Sequence, residues 1–296
     1  MALVNKRYFS QCWRVYEGHV PRFAKTILAA SKAPLTKPRT ITRPFGYQSP
    51  VLLNHRTADV FSIGWLIREL FGLEAKERRQ KKLDHEISHS PFYESKSFLN
   101  TNGKIFTPPV SYFKQERAQY FPEFISATLL KKHQSLYELL ENKVSVLRIY
   151  STYSGDKCSR TYFETKDGNY LNEKYDKFLS MYPSAQIIDV NVPQSWIKGF
   201  LVKIFVGRIK KAVNRERYRK YMILPEHIFS YDVRSKLLCD NMCSGYVYVL
   251  DNEGKIRWAT SGNADEAEKK QLWKCVLGLE KELSKTLPQK MEKTTE

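Results

Sequence analysis

The stretch that decides the fold is Ser244–Thr260, SGYVYVLDNEGKIRWAT. Tyr246, Tyr248 and Leu250 fall on one face of an extended strand and Val247 and Val249 on the other. Both faces are therefore apolar, which places the strand inside a sheet covered on both sides. Asp251-Asn252-Glu253-Gly254 supplies turn formers, with glycine where a left-handed residue is required; Ile256 and Trp258 then alternate with Lys255 and Arg257. A hairpin returning along a half-exposed edge is predicted. Asn263, with Glu266 three residues later, predicts a capped helix start. Leu272, Val276, Leu279 and Leu283, flanked by Trp273 and Leu277, give that helix an apolar face that needs a sheet to cover.

Upstream, Val144–Tyr150 and Ala185–Val192 are strand-like runs, and Tyr162–Tyr182 between them reads as mostly helical with a break near Gly168. Such a crossover is long enough to make the two strands parallel. Pro193 opens a helix that runs through Ala212, with Trp196, Ile197, Phe200, Leu201, Ile204 and Phe205 on its apolar face and Lys198, Lys203, Arg208, Lys210 and Lys211 as a cationic complement. The order βαβαββα, parallel in front and antiparallel behind, predicts an α/β, thioredoxin-like domain with a mixed sheet over 143–287, followed by a disordered tail at 288–296.

Residues 44–142 read as an N-terminal extension packed on that domain. A helical pattern runs from Thr57 through Val60, Phe61, Ile63, Leu66, Ile67, Leu70, Phe71 and Leu73, then turns polar until Pro91 stops it. Ser90–Leu130 is rich in aromatics and prolines and reads as short strands and loops, with Asn102-Gly103 as a turn; Ser135–Glu141 reads as a short helix. In residues 1–43 nine Lys/Arg stand against the single acid Glu17, and Val4, Tyr8, Cys12 and Val15 share one helical face opposite Lys6, Arg7, Ser10 and Arg14. That is the pattern of a mitochondrial transit peptide. The formal charge of the chain is +18, and beyond residue 43 there remain 40 basic and 30 acidic residues, so the body itself suits an acidic partner. No run of about 18 or more apolar residues is present, which argues against a spanning helix. Five cysteines, Cys12, Cys158, Cys239, Cys243 and Cys275, do not make a disulfide framework.

Several motifs raise the possibility of chemistry. His85-Glu86-Ile87-Ser88-His89 fits HExxH, the helical zinc pattern, but it follows a strongly charged run, precedes Pro91 and has no third ligand at a familiar spacing; a solvated helix end is expected instead. Thioredoxin-like folds carry redox cysteines where the first helix begins, since the helix dipole lowers the thiol pKa there. Here that loop, 150–158, holds Cys158 alone, and Gly155 stands where the threonine of a peroxiredoxin Thr-x-x-Cys would be. A one-cysteine thiol peroxidase survives only as an alternative. Cys239 and Cys243 lack a complementary Cys/His pair nearby in sequence, and no proline stands before the central strand. Lys198–Lys220 gathers nine Lys/Arg against Glu216, which suits anionic lipid and leaves RNA binding as another alternative.

Ser90–Leu129, together with Arg43-Pro44-Phe45-Gly46 and Gly245–Glu268, resembles a fungal-type family of mitochondrial ATP synthase assembly factors. The resemblance covers about residues 43 to 285. It implies a chaperone of subunit 6 (subunit a) of the membrane sector, matrix-facing and peripheral to the inner membrane, without enzymatic activity, cofactor or metal, and with no catalytic set to transfer. On that reading Tyr120, Phe121, Trp196 and Phe200 are candidates for the client surface, and Lys203, Lys210 and Lys211 for the membrane surface.

Overall fold

In the computed structural model, which describes residues 33–53, 72, 76, 77, 80, 92–194 and 206–292, the strand runs of the sequence pair into one seven-stranded sheet. In chain order, the two-residue strand β1 (Arg39–Thr40) is followed by α1 (Tyr93–Asn100) and by β2 (Phe106–Thr107), which pairs in parallel with β1. Next come β3 (Ile125–Thr128), β4 (Gln134–Ser135), α2 (Leu136–Leu140), β5 (Val144–Tyr150) and α3 (Tyr153–Arg160). A small hairpin of β6 (Glu164–Thr165) and β7 (Gly168–Asn169) precedes α4 (Tyr175–Met181) and β8 (Ala185–Asn191). The chain ends with α5 (Val206–Ala212), β9 (Tyr221–Ile223), α6 (Tyr231–Lys236), β10 (Gly245–Leu250), β11 (Ile256–Ser261) and α7 (Glu266–Glu292).

The spatial order is β11-β10-β5-β8-β9-β3-β4. β5, β8 and β9 run parallel, whereas β10 is antiparallel to both β5 and β11. A parallel crossover in front and an antiparallel hairpin behind make the domain thioredoxin-like, as the sequence predicts. β10 lies inside the sheet with two covered faces: Tyr246, Tyr248 and Leu250 join one core cluster, Val247 and Val249 the other. The second cluster is closed by Leu272, Cys275, Val276, Leu279 and Leu283 of α7 and by Phe178 of α4. The first is closed largely by the extension, through Ile105, Phe106, Phe121, Phe124 and Leu136, together with Ile41 ahead of it and Val233 of α6.

Several expectations change, and the first residues of the predicted disordered tail are instead the end of α7, which runs to Glu292. The extension does not merely lie on the sheet, since β3 and β4 extend it beyond β9. The edge strand β11 is buried along its whole length, because the extension runs beside it: Phe113 N donates to the Arg257 carbonyl (2.7 Å) and Ile256 N to the Gln119 carbonyl (2.7 Å). Covering an edge removes a row of unpaired backbone groups that would otherwise invite another strand. The cap of α7 is Asp265, whose Oδ1 accepts from Glu268 N at 2.7 Å, while Asn263 instead donates to the Asn102 carbonyl; Leu277 turns outward. Between β5 and β8 the chain is helical in α3, a 3₁₀ turn at Thr161–Phe163 and α4, with the β6–β7 hairpin where the break near Gly168 is predicted. The turn at Asn102-Gly103 and the left-handed glycine of the β10–β11 hairpin are observed, with φ of 51°, 82° and, at Gly254, 82°.

The predicted helix from Thr57, the HExxH segment and most of the leader lie outside the described residues. The last part of the predicted leader is inside them. Ile41 is buried, Arg39–Thr40 pairs with Phe106–Thr107, and Leu35 N donates to Ser97 Oγ at 2.9 Å. A chain that starts at residue 44 therefore loses a core side chain that one starting at residue 33 keeps. Burying one isoleucine contributes about 1.5–3 kcal/mol. Comparing the two chains by thermal unfolding, we expect the shorter to melt several degrees lower; equal melting would contradict the role assigned to Ile41.

Candidate functional site

The C-terminal ends of the parallel strands are the place where this class of sheet leaves room for a ligand. Thr152, in extended backbone after β5, caps α3 by accepting from Gly155 N at 3.2 Å. The helix then presses on the entry to β10: a Cβ at Gly155 would lie 2.5 Å from the Ser244 carbonyl oxygen, and one at Gly245 would collide with the carbonyl of Gly155. Only glycines permit this backbone approach. Cys158 falls near the far end of the helix, buried, and burial raises its thiol pKa despite Lys157 and Lys104. Burial likewise pushes Cys239 up to about 12 and Cys275 to about 11. A nucleophilic cysteine needs the opposite shift, so none of these three has the environment of a reactive thiolate. Among the described residues no group of three or more His, Cys, Asp or Glu is placed to hold a metal.

Beside α3 lies a cavity of about 380 Å³, lined in part by Arg148, Asp156, Arg160, Asp189 and Arg217. The register that sets Val144 beside Ala185 also sets Arg148 of β5 beside Asp189 of β8. Arg148 Nε donates to Asp189 Oδ1 (2.7 Å) and its Nη1 to Asp156 Oδ1 (2.7 Å). Arg217, from the 3₁₀ turn Arg215–Lys220, donates through Nη2 to Asp189 Oδ2 and through Nη1 to the Leu171 carbonyl (2.7 Å). Arg160 Nη2 takes the remaining oxygen of Asp156 at 2.9 Å. Burial would raise the Asp189 carboxyl, but Arg148 and Arg217 override it and hold its pKa below the ordinary 3.8. Burial lowers Arg217, with Asp189 opposing, whereas Arg148 is held high by Asp189, Tyr150 and Asp156 against its burial. The Tyr150 hydroxyl donates to that of Tyr221 at 2.9 Å on the same wall.

The residues singled out in the sequence are not gathered in one place. Phe121 is fully buried, edge-on to Tyr248 with ring centroids 5.6 Å apart, so it is core and not a contact surface. Tyr120 is half-buried, with Lys255 Nζ 5.3 Å from its ring. Trp196, Phe200 and Lys203 lie outside the described residues. Lys211 is exposed on α5, and Lys210 is half-buried with its ammonium 5.8 Å from the Tyr218 ring. The aromatic-rich extension does present apolar side chains, but different ones: Phe92, Leu99, Val110 and Leu130 are all well exposed. Phe92 stands just before α1 in left-handed backbone, and Leu99 lies in the last turn of that helix.

The family described as ATP10 protein matches residues 25–279, and this chain belongs to it. It is 34% identical to the mitochondrial ATPase complex subunit ATP10 of Eremothecium gossypii, over 82% of this chain and 86% of that protein. It is 35% identical to the protein of the same name from Saccharomyces cerevisiae, over 86% of this chain and 91% of that one. Among solved structures, a putative thiol:disulfide interchange protein DsbE from Chlorobium tepidum overlaps 55% of this chain and 96% of its own, at 14% identity and a TM-score of 0.36.

Asp189 ties two strands and a 3₁₀ turn together, so its loss has a signed pH dependence. Its folded pKa is depressed; the stability it contributes is present above the unfolded value near 3.8 and is lost as pH falls through the lower folded value. Asp189→Asn is expected to cost about 3–5 kcal/mol near pH 7, since two buried arginines lose their counter-charge. In urea unfolding the gap from wild type should narrow below pH 3.8. A gap that stays constant through that range would mean that Asp189 acts by shape alone.

Proposed function

We propose that this chain is a non-enzymatic assembly factor of the mitochondrial ATP synthase membrane sector, which holds newly made subunit 6 (subunit a) for incorporation. Membership of the ATP10 family carries the reading: relatives named as mitochondrial ATPase complex subunits align over most of their length and most of this chain's. The site chemistry supports binding over catalysis. Cys158, Cys239 and Cys275 are buried with raised pKa values, which counts against the thiol peroxidase alternative.

A client from the membrane sector is apolar, and exposed apolar side chains are what such a client would meet. Phe92 and Leu99 at α1, with Val110 and Leu130 further along the extension, take the place first given to Tyr120 and Phe121. Lys211, with Lys210 and Lys203 of the same basic segment, is assigned to the anionic inner-membrane surface on the matrix side. No helix among the described residues is long and apolar enough to cross a membrane, in keeping with peripheral attachment. The part of the predicted 1–43 leader that precedes the packed Leu35–Ile41 segment is assigned to import.

The test is made in yeast lacking its own family member. Expression of this chain should restore assembled ATP synthase, and a photo-crosslinking residue at position 99 should capture radiolabelled subunit 6 during mitochondrial translation. Phe92→Ser with Leu99→Ser should weaken that capture several-fold at unchanged protein level. Restored assembly with no crosslink from either the 92 or the 99 position would overturn the client surface; failure to restore assembly with the chain imported and folded would overturn the function.

A further inference from the structure

β4 is the edge strand at one side of the sheet, and the turn that joins it to β3 is held by Thr128. Thr128 N donates to the Lys131 carbonyl (2.8 Å), and the Thr128 hydroxyl oxygen accepts from Leu130 N (3.2 Å) and Lys131 N (2.8 Å). The turn sends two adjacent leucines opposite ways, Leu129 into the interior at 4% exposure and Leu130 out to solvent at 65%. Lys131 and Lys132 follow, both exposed. The basic segment reaches the same hairpin: Arg219 Nε donates to Gln134 Oε1 of β4 at 2.8 Å, and the Tyr218 hydroxyl donates to the Lys210 carbonyl at 2.6 Å. The 3₁₀ turn Arg215–Lys220 therefore links the hairpin to α5. Burial lowers the pKa of half-buried Lys220, and the cations Lys143, Arg217 and Arg219 lower it further against Glu216, a mark of how closely positive charge gathers here. Lys131, Lys132, Lys211 and Arg215 are exposed and have no ion-pair partner among the described residues, whereas Lys177 and Lys269 face Asp167 and Glu266. Of the acids in and around these segments, Glu123 and Glu138 are bonded to Ser135 and Gln134, and Glu141 and Glu216 remain.

We propose that the hairpin tip Leu130-Lys131-Lys132, with Lys211 and Arg215 of the basic segment, is the surface that docks on an anionic lipid bilayer, Leu130 entering the interface while the cations meet the headgroups. The inference rests on the peripheral attachment proposed above and adds the surface that makes it. Leu130, named there among the residues a membrane-sector client would meet, would meet it at the lipid boundary. The combination of an apolar tip with unpaired cations selects the partner. Lysines that only guarded the sheet edge at β4 would have no use for an exposed leucine beside them. A single-stranded nucleic acid needs aromatic faces on which bases stack. Tyr218, the aromatic residue of this surface, is half-buried, bonded through its hydroxyl to α5, and has the Lys210 ammonium 5.8 Å from its ring.

The test uses protein purified from yeast mitochondria after import, carrying an environment-sensitive fluorescent residue at position 130 or, for comparison, at position 277, an exposed leucine on α7. It is titrated with vesicles of phosphatidylcholine alone or mixed in equal parts with phosphatidylglycerol. With the anionic vesicles the emission at 130 should shift to the blue and be quenched by brominated acyl chains, and that at 277 should do neither; neutral vesicles should bind at least about tenfold more weakly. Lys131→Glu with Lys132→Glu should lower the affinity for anionic vesicles at least about tenfold. Lys270→Glu with Lys274→Glu, at exposed positions on α7, makes the same change in net charge and should alter the affinity by less than about threefold. Equal losses in the two double variants, or a blue shift at 277 and none at 130, would overturn this docking surface and leave peripheral attachment standing. Failure of the wild type to bind anionic vesicles would overturn the attachment and the inference with it. Binding of a single-stranded RNA oligonucleotide that Lys131→Glu with Lys132→Glu abolishes, with vesicle binding retained, would overturn the proposal and assign the surface to nucleic acid.

Discussion

The structure turns on the burial of one carboxylate. Asp189 sits in the middle of a seven-stranded sheet at 1% exposure, where an unpaired charge would cost several kcal/mol. It remains ionised because Arg148 reaches it across the β5–β8 pair and Arg217 folds back over the strand end to meet its other oxygen. That second bond fixes the path of the chain between β8 and β9, and through Arg217 Nη1 it also holds the Leu171 segment that leads into α4. Arg148 carries the same constraint into α3 through Asp156. Five pieces of chain therefore meet at one polar point, and charged groups, rather than a plug of apolar side chains, occupy that end of the sheet.

Much of this was legible in the sequence where one face or one period decides the outcome. The two-faced apolar run of β10, the aligned runs of β5 and β8, and the heptad-like apolar positions of α7 needed no distant partner to be recognised. β9 is three residues long and follows a strongly basic stretch, so no periodicity marks it; its pairing with β8 and β3 is purely tertiary. The edge strand β11 looked half-exposed because Lys255 and Arg257 alternate with apolar residues. Arg257 is instead buried against Asp251, Glu282 and the Phe113 carbonyl, which only the path of the extension reveals.

The charged site left one overlooked trace. Arg148 is the fifth residue of VSVLRIY and Asp189 the fifth of AQIIDVN, so aligning two parallel strands start to start places opposite charges side by side. Phe92 and Leu99 were likewise passed over, since proline and aromatic content made their segment look non-helical. Arg217 could not have been found this way, because nothing local distinguishes it from the other basic residues of its run.

On the proposed function, a thioredoxin-like body whose buried thiols are pushed away from ionisation serves as a scaffold for binding, and its covered edge and shared core make the extension part of that body. The most direct measurement is of ATP synthase assembly, by native gel and respiratory growth, in cells whose only copy of this chain carries Cys12→Ser, Cys158→Ala, Cys239→Ala, Cys243→Ser and Cys275→Ala. Small residues replace small buried ones at Cys158, Cys239 and Cys275, so the fold should survive at modest cost. The account predicts assembled enzyme at close to the wild-type level. Loss of assembly with the cysteine-free chain folded and present at normal abundance would contradict it and restore a thiol to the mechanism.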